Sequence, residues 1–462
     1  MNEELDRIVL SLREELFKEA SELIKFRSVQ GEFEEDAPFG KEVKKALVYA
    51  LKLGEKYGFK VKNVDNYAGH VEFGDSGKLF GVLGHLDVVP EGTGWSVDPY
   101  GGVIKDGYLF GRGAIDDKAP TIAALFALRA VKELGIKPKN RVRIIFGTNE
   151  ETGWMGVKHY FEHEEMPDWG VTPDADFPII YAEKGIVNFE ISAVRNPKPI
   201  KGDATLVSLK GGEASNMVIA NAELILDVKN DDVIELIKNF KPQNDAHIET
   251  DIDGEKISVK AFGKSAHGSK PQEGVNAASA LFELVEKIKL DDEELNEYLK
   301  KINEKIGYET NGKSLGIAGS DDVSGDLTVN LGVVEITNST LKLTLNIRYP
   351  IFFNVNMIES QIKEALNNMS VTRTHDQGPL YVSPESKLVK LLSEVYEDVT
   401  KEKAYLIAIG GGTYARAIPN AVAFGPLFPG RESTEHQADE RIALDDLLMA
   451  ARIYAQLLYR VL

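Results

Sequence analysis

The chain has 462 residues, 43 % hydrophobic and 27 % charged. That is more than one hydrophobic core usually organises, so two or more domains of an ordinary soluble, globular kind are expected. Its 73 acidic against 54 basic residues leave a net charge of −19, which argues against nucleic acid or an anionic membrane as partner, because both require a basic surface. There is no cysteine, so disulfides, thiolate ligands and a cysteine nucleophile are excluded, and any metal must be held by His, Asp and Glu.

The chain opens with MNEELDRIVLSLREELFKEA, which is acidic and lacks the basic and apolar blocks of a signal peptide. No apolar run approaches the ~20 residues of a membrane span, and a cytoplasmic location is expected. Leu5, Ile8, Val9, Leu12, Leu16, Ala20, Leu23 and Ile24 recur at helical spacing and predict one amphipathic helix. An apolar strand (79–83), a helix from about Pro120 to Leu134 and a second strand (142–147) follow. This alternation predicts an α/β domain with a mostly parallel sheet, in which ligands gather at the carboxyl ends of strands.

From about Gly185 the texture changes. VNFEISAV, KISVKAFG and LKLTLNIRYP alternate like half-buried strands, with helical stretches such as VIELIKNF, AASALFELVEKIK and VNMIESQIKEALNNM between them. This is α+β patterning, long enough for two small units, and helix–strand alternation resumes after HDQGPLYVSPES. The expected architecture is a catalytic α/β domain (1–185 and 377–462) interrupted by an inserted α+β lid domain (186–376) made of two small units.

Five stretches set charge beside apolar or glycine-rich sequence: GHLDVVP, GRGAIDDKAP, GTNEETG, PDADFP and STEHQADE. Singly, each has an ordinary structural reading: a surface pair, an acidic helix N-terminus or a turn. Jointly they offer two imidazoles and several carboxylates, the ligand set for Zn²⁺ or Mn²⁺ in a sulfur-free site. Two ions ~3.5–4 Å apart need a bridging anion, which a carboxylate can supply. Asp87 is too close to His85 to ligate independently and is expected to accept the second ring N–H of His85. In KSAHGS, His267 lies in a small-residue loop. Arg348 of NIRYP ends an alternating strand, where its fork suits a carboxylate as well as a surface ion pair. The GGGTYAR run, with Gly411, Gly412 and Thr413, offers backbone N–H groups and a hydroxyl, but it lacks the context of a dinucleotide loop.

In this order and with a late histidine, these motifs resemble the co-catalytic dinuclear metallopeptidases related to carnosinase, aminoacylase and succinyl-diaminopimelate desuccinylase, and most of all the bacterial peptidase V type of dipeptidase. The resemblance covers nearly the whole chain. It implies that His85 and Asp174 hold one metal, Glu151 and His436 the other, and that Asp116 bridges them, with Asp117 following through a cis peptide. It further implies Glu150 as general base, Asp87 behind His85, His267 stabilising the tetrahedral oxyanion and Asn216 facing the substrate. Arg348 with the Gly411–Thr413 loop would hold the free carboxylate. Ile219, Ala415 and Asp439 depart from the residues usual in relatives, and none removes an implied ligand.

The function implied is a metal-dependent dipeptidase with two divalent ions, zinc foremost and manganese or cobalt as alternatives. A metal-bridging hydroxide would attack small peptides, β-alanyl dipeptides among the candidates. An N-acyl-amino-acid deacylase or desuccinylase on the same scaffold is the alternative. Such relatives are generally shorter dimers, so the long insertion favours the dipeptidase and a monomer. A non-enzymatic binder is disfavoured because every ligand and the base are present.

Overall fold

In the computed structural model, which describes residues 1–194 and 197–462, the chain divides into two compact units. The first comprises Met1–Ala182, Tyr381–Ile407 and Gly412–Leu462; the second comprises Glu183–Leu380 and Ala408–Gly411.

The sheet of the first unit runs, in spatial order, Lys60–Val64, Ala68–Phe73, Arg141–Gly147, Leu79–His85, Trp169–Thr172, Ala421–Ala423, Ile179–Glu183 and Leu380–Tyr381, and Leu406–Ile409 also pairs with Ile179–Glu183. Arg141–Gly147 through Ala421–Ala423, the four central strands, are parallel. Lys60–Val64 with Ala68–Phe73, Ala68–Phe73 with Arg141–Gly147, and Ala421–Ala423 with Ile179–Glu183 are antiparallel, the first as a hairpin closed by the short turn at Asp65–Tyr67. Every residue of Leu79–His85 is buried, as a strand covered on both faces must be.

The helix Lys118–Glu133 buries nearly all of its residues and the helix Leu444–Val461 most of its own. The single N-terminal helix expected from periodicity is instead two, Glu3–Ser11 and Arg13–Ile24, meeting at Leu12. The break leaves the apolar spacing intact, and Leu5, Val9, Leu16 and Leu23 all reach one core.

The second unit is built on one eight-stranded sheet, ordered His247–Asp253, Lys256–Phe262, Asn221–Val228, Ala204–Gly211, Thr328–Thr337, Thr340–Tyr349, Gly185–Val194 and Ser370–Gln377. Every neighbouring pair is antiparallel. The sheet is two four-stranded halves joined through Ala204–Gly211 and Thr328–Thr337. Strand Asn221–Val228 shows the alternation, burying Ala222, Leu224, Leu226 and Val228. Among the described residues no helix is long and apolar enough to cross a membrane.

One buried polar network braces the edge of the first sheet. The Tyr160 hydroxyl lies 2.8 Å from Nδ1 of His70 and takes a hydrogen bond from Arg143 (3.2 Å), whose Nε donates to Glu72. Burial, aided by the Arg143 charge, pushes the His70 pKa down to about 3. In the unfolded chain it returns to about 6.5, so below that pH the unfolded state binds the extra proton. This contribution is complete above pH 6.5 and is lost progressively as pH falls toward 3. Urea midpoints between pH 7 and 4 are therefore expected to fall more steeply for the natural protein than for His70→Gln. The difference should correspond to as much as one proton, about 1.4 kcal/mol per pH unit; parallel curves would rule this out.

Candidate metal centre

The first unit delivers charged side chains to the carboxyl ends of its central strands. His85 is the last residue of Leu79–His85, Asp116 and Asp117 precede the helix Lys118–Glu133, Glu150 and Glu151 lie just past Arg141–Gly147, and Asp174 follows Trp169–Thr172. His436 lies in a late loop in a left-handed conformation (φ 62°).

Asp116 organises the group. Its Oδ1 is 2.9 Å from Nε2 of His85 and its Oδ2 is 3.0 Å from Nε2 of His436. Asp174 lies 3.7 Å from the same nitrogen of His85, and Glu151 3.2 Å from that of His436. Two ligand sets result, His85–Asp116–Asp174 and Asp116–Glu151–His436, each with its candidate ligand atoms within 4.8 Å of one another. The peptide joining Asp116 to Asp117 is cis.

Nδ1 of His85 lies 2.9 Å from the backbone carbonyl of Asp87. A carbonyl only accepts, so Nδ1 carries a proton, and in the neutral ring the lone pair of Nε2 faces the carboxylates. That Nε2 is buried without a hydrogen-bond partner. This differs from the expectation for Asp87, whose carboxylate stands 3.6 Å from the ring. Its main-chain oxygen reaches the imidazole instead, and its two carboxylate oxygens accept the backbone N–H groups of Glu150 and Glu151, each at 3.1 Å.

The electrostatics call for cations. Burial would raise the pKa of Asp116, but the positive charge of His436 and His85 beside it holds it well below the usual range. Burial lifts Glu150 to about 8, against the pull of His85 and aided by the charges of Glu151, Asp116 and Asp87. Asp174 is raised by burial and by Asp116. Against their own burial, both histidines are raised by the carboxylates around them, His436 to about 11. An orphaned imidazole nitrogen within a desolvated N/O donor set fits a pair of divalent ions.

Several supporting residues lie within or beside the motif stretches, but the sequence alone assigns them no supporting role. Glu440, fully buried, pairs with Arg112 at 2.6 Å, and its Oε1 accepts the N–H groups of Gly113, Ile115 and Asp116. Asp117 accepts from the backbone of His85 (3.2 Å) and from Thr121 (2.9 Å). A Cβ on Gly84 would lie 2.6 Å from that Asp117 oxygen and closer still to Thr121. Trp154 donates its indole N–H to Glu150 at 3.2 Å, and Tyr414 packs edge-on to both His85 and Trp154. Charge at Glu440 looks like any acidic residue in a polar loop; its partners are mostly main-chain groups, which a sequence does not display.

The second unit gathers its own set. His267 pairs across an isolated bridge with Met217, next to Asn216, and Gly268 N–H donates to the Asn216 carbonyl at 2.6 Å. Nδ1 of His267 lies 2.7 Å from the Ser269 hydroxyl and accepts from the Ser269 N–H at 3.3 Å. Because a backbone N–H only donates, the neutral ring carries its proton on Nε2. Arg348 is buried, donates through Nε to Asn346 (2.9 Å) and through Nη1 to the Gly410 carbonyl (3.0 Å). Gly411 belongs to this unit, whereas Gly412 and Thr413 belong to the first, where the Thr413 hydroxyl caps Ala415. Beneath Arg348, Asn346 donates to Asn188, Asn188 to Ser215, and Asn330 to the Ser215 and Met217 carbonyls.

A divalent-metal hydrolase site is what this donor set describes. Residues 81–460 match the model of the peptidase family M20/M25/M40, and the chain belongs to this family of dinuclear metallopeptidases. It is 40 % identical over 465 residues to a Bacillus subtilis protein named "Putative dipeptidase YtjP", covering 100 % of both chains. Its fold is similar to human carnosine dipeptidase 1 (TM-score 0.58, 16 % identity, 100 % and 99 % of the two chains). It is also similar to the M20 family metallo-carboxypeptidase Sso-CP2 of Sulfolobus solfataricus (TM-score 0.57, 18 % identity, 100 % of both chains).

Replacing Glu440 by Gln removes the charge opposite buried Arg112 and weakens the acceptor of three N–H groups. Breaking a buried pair this way costs about 3–5 kcal/mol. Urea denaturation should register that loss, and metal affinity should fall with it, because Asp116 is held by the same loop. Unchanged stability and metal affinity would show that Glu440 does not set the loop.

Proposed function

We propose that this protein is a dipeptidase working with two divalent ions, zinc foremost. The observation carrying the reading is the sharing of Asp116 between two imidazoles, one beside Asp174 and the other beside Glu151. His85 and Asp174 would hold one ion, Glu151 and His436 the other, with Asp116 common to both. Bound there, the pair supplies Lewis acidity, acidifying a water and polarising the scissile carbonyl.

Glu150 is the general base in this reading. Its neighbour Glu151 faces His436, while Glu150 takes the Trp154 indole N–H. It accepts the proton of the attacking water and returns it to the leaving amine. Asp87 positions it by gripping the backbone of both glutamates. The second unit acts as a lid. His267, with its proton on Nε2, donates to the tetrahedral oxyanion, an interaction worth about 10²–10³ in rate. Arg348 and the Gly411–Thr413 loop take the substrate's free carboxylate, and Asn216 faces the substrate. A cytoplasmic monomer fits this reading, with the long second unit standing in for a partner subunit.

Glu150→Ala is expected to keep both metals and lose turnover by at least about 10²-fold. Full activity in that variant would eliminate the assignment. Arg348→Lys loses the planar fork and should raise KM for dipeptides more than it lowers kcat. A panel of α-dipeptides, β-alanyl dipeptides and N-acyl amino acids, run on metal-analysed protein, tests the substrate class. Preferred cleavage of the acyl amino acids would replace the dipeptidase by a deacylase.

A further inference from the structure

A second constellation of ligands lies outside the Asp116 cluster. The helix Met155–His163 carries His159 and His163 one turn apart, so both rings stand on the same face. Their centroids are 4.3 Å apart. Opposite them, Asp65 in the turn between Lys60–Val64 and Ala68–Phe73 places Oδ2 3.0 Å from Nε2 of His159. One ligand atom from each of the three residues lies within 4.8 Å of the others.

The rings are oriented as ligands are. Nδ1 of His163 lies 2.8 Å from the His159 carbonyl, which fixes its proton there and turns the lone pair of Nε2 outward. His159 is held flat by Tyr67, stacked at 4.1 Å and 25°. The Tyr67 carbonyl in turn accepts the Thr148 hydroxyl at 2.5 Å, so the turn is tied to the strand end that leads into Glu150. The cluster also lies at the carboxyl end of its helix, of which His163 is the last residue, where the helix dipole favours a cation.

We propose that Asp65, His159 and His163 form a third divalent-cation site, of N₂O type and suited to Zn²⁺. The ion takes the place of the hydrogen bond now joining His159 and Asp65, and water completes a tetrahedron at bond lengths of about 2.0–2.2 Å. Ligand atoms on such an ion sit about 3.3 Å apart, a spacing that a small rotation of the exposed His163 ring supplies. The ion clamps the hairpin turn to the helix following Glu151, and the site is independent of the dinuclear set.

The test is equilibrium dialysis of the purified, metal-loaded protein against buffered free Zn²⁺, with NMR of the histidine rings. The His159→Gln/His163→Gln variant should take up one equivalent fewer than the natural protein, whatever number the Asp116 cluster holds, and should keep its activity. Each single change and Asp65→Asn should weaken that equivalent at least about tenfold, as even outer-shell changes do. In the natural protein the His159 and His163 ring signals should move with its uptake, and the thermal midpoint should rise. Equal uptake by the natural protein and the double variant, or ring signals of His159 and His163 that stay fixed across the titration, would overturn the proposal.

Discussion

The carboxylate of Asp116 lies between two imidazoles, one oxygen turned to each, with further carboxylates crowded behind it. Buried acids this close cannot all stay ionised unless positive charge is supplied. Without ions the protein draws on what it has, raising both histidines and Glu150 while keeping Asp116 charged. Two divalent ions meet the same demand without protons and leave the imidazole nitrogens as ligands. The arrangement of strand ends in the first unit follows from that demand. Four loops meet at the carboxyl edge of the parallel strands, where dipoles and main-chain groups are unpaired and charge can be placed without cutting into the core.

The second unit solves a different problem. A buried arginine is tolerable only if its fork is occupied, and here an asparagine chain supports the neighbour that receives it: Asn346 accepts from Arg348 and donates to Asn188, which reaches Ser215. These asparagines sit on adjacent antiparallel strands in direct register, Asn188 opposite Asn346 and Asn346 opposite Asn330. A polar ladder inside a half-buried sheet fixes register, because a slip of one residue would leave every amide unpaired. Rigidity under Arg348 is what the proposed carboxylate-binding role of its fork would need, since looseness there would be repeated at the substrate.

Much of this was legible because chemistry restricts residue type. Only His, Asp and Glu can bind metal in a chain without cysteine, so His85, Asp116, Glu151, Asp174 and His436 stood out, and the structure brings these five together. The fold class was legible for a related reason, since period-2 and period-3.6 patterns record which faces are buried. The remainder was hidden where main-chain groups do the work. The partner of His85 is the carbonyl of Asp87 rather than its carboxylate, and carbonyls have no sequence signature. The break at Leu12 and the antiparallel edges of the first sheet leave the hydrophobic period unchanged, so nothing in the pattern marks them. The asparagine ladder was hidden differently. Each Asn, read singly, is an ordinary polar residue in a strand, and only the pairing of distant strands gives it a partner.

Asp87 and Glu440 share a logic that neither displays alone. Each follows a histidine of the candidate metal centre closely in sequence, two residues after His85 and four after His436. Each sends its carboxylate to the backbone of another loop rather than to an ion. Asp87 accepts from Glu150 and Glu151; Glu440 accepts from Gly113, Ile115 and Asp116. The loop that supplies an imidazole therefore also fixes the loop that supplies carboxylates, twice over and from opposite ends of the chain. Loops alone would be too mobile to hold ligand atoms to within a few tenths of an ångström, and charge-assisted hydrogen bonds to main-chain N–H groups are about twice as strong as neutral ones. Because Asp87 binds amides rather than a cation, its charge also adds to the negative field felt by Glu150, whereas the charge of Glu440 is met by Arg112.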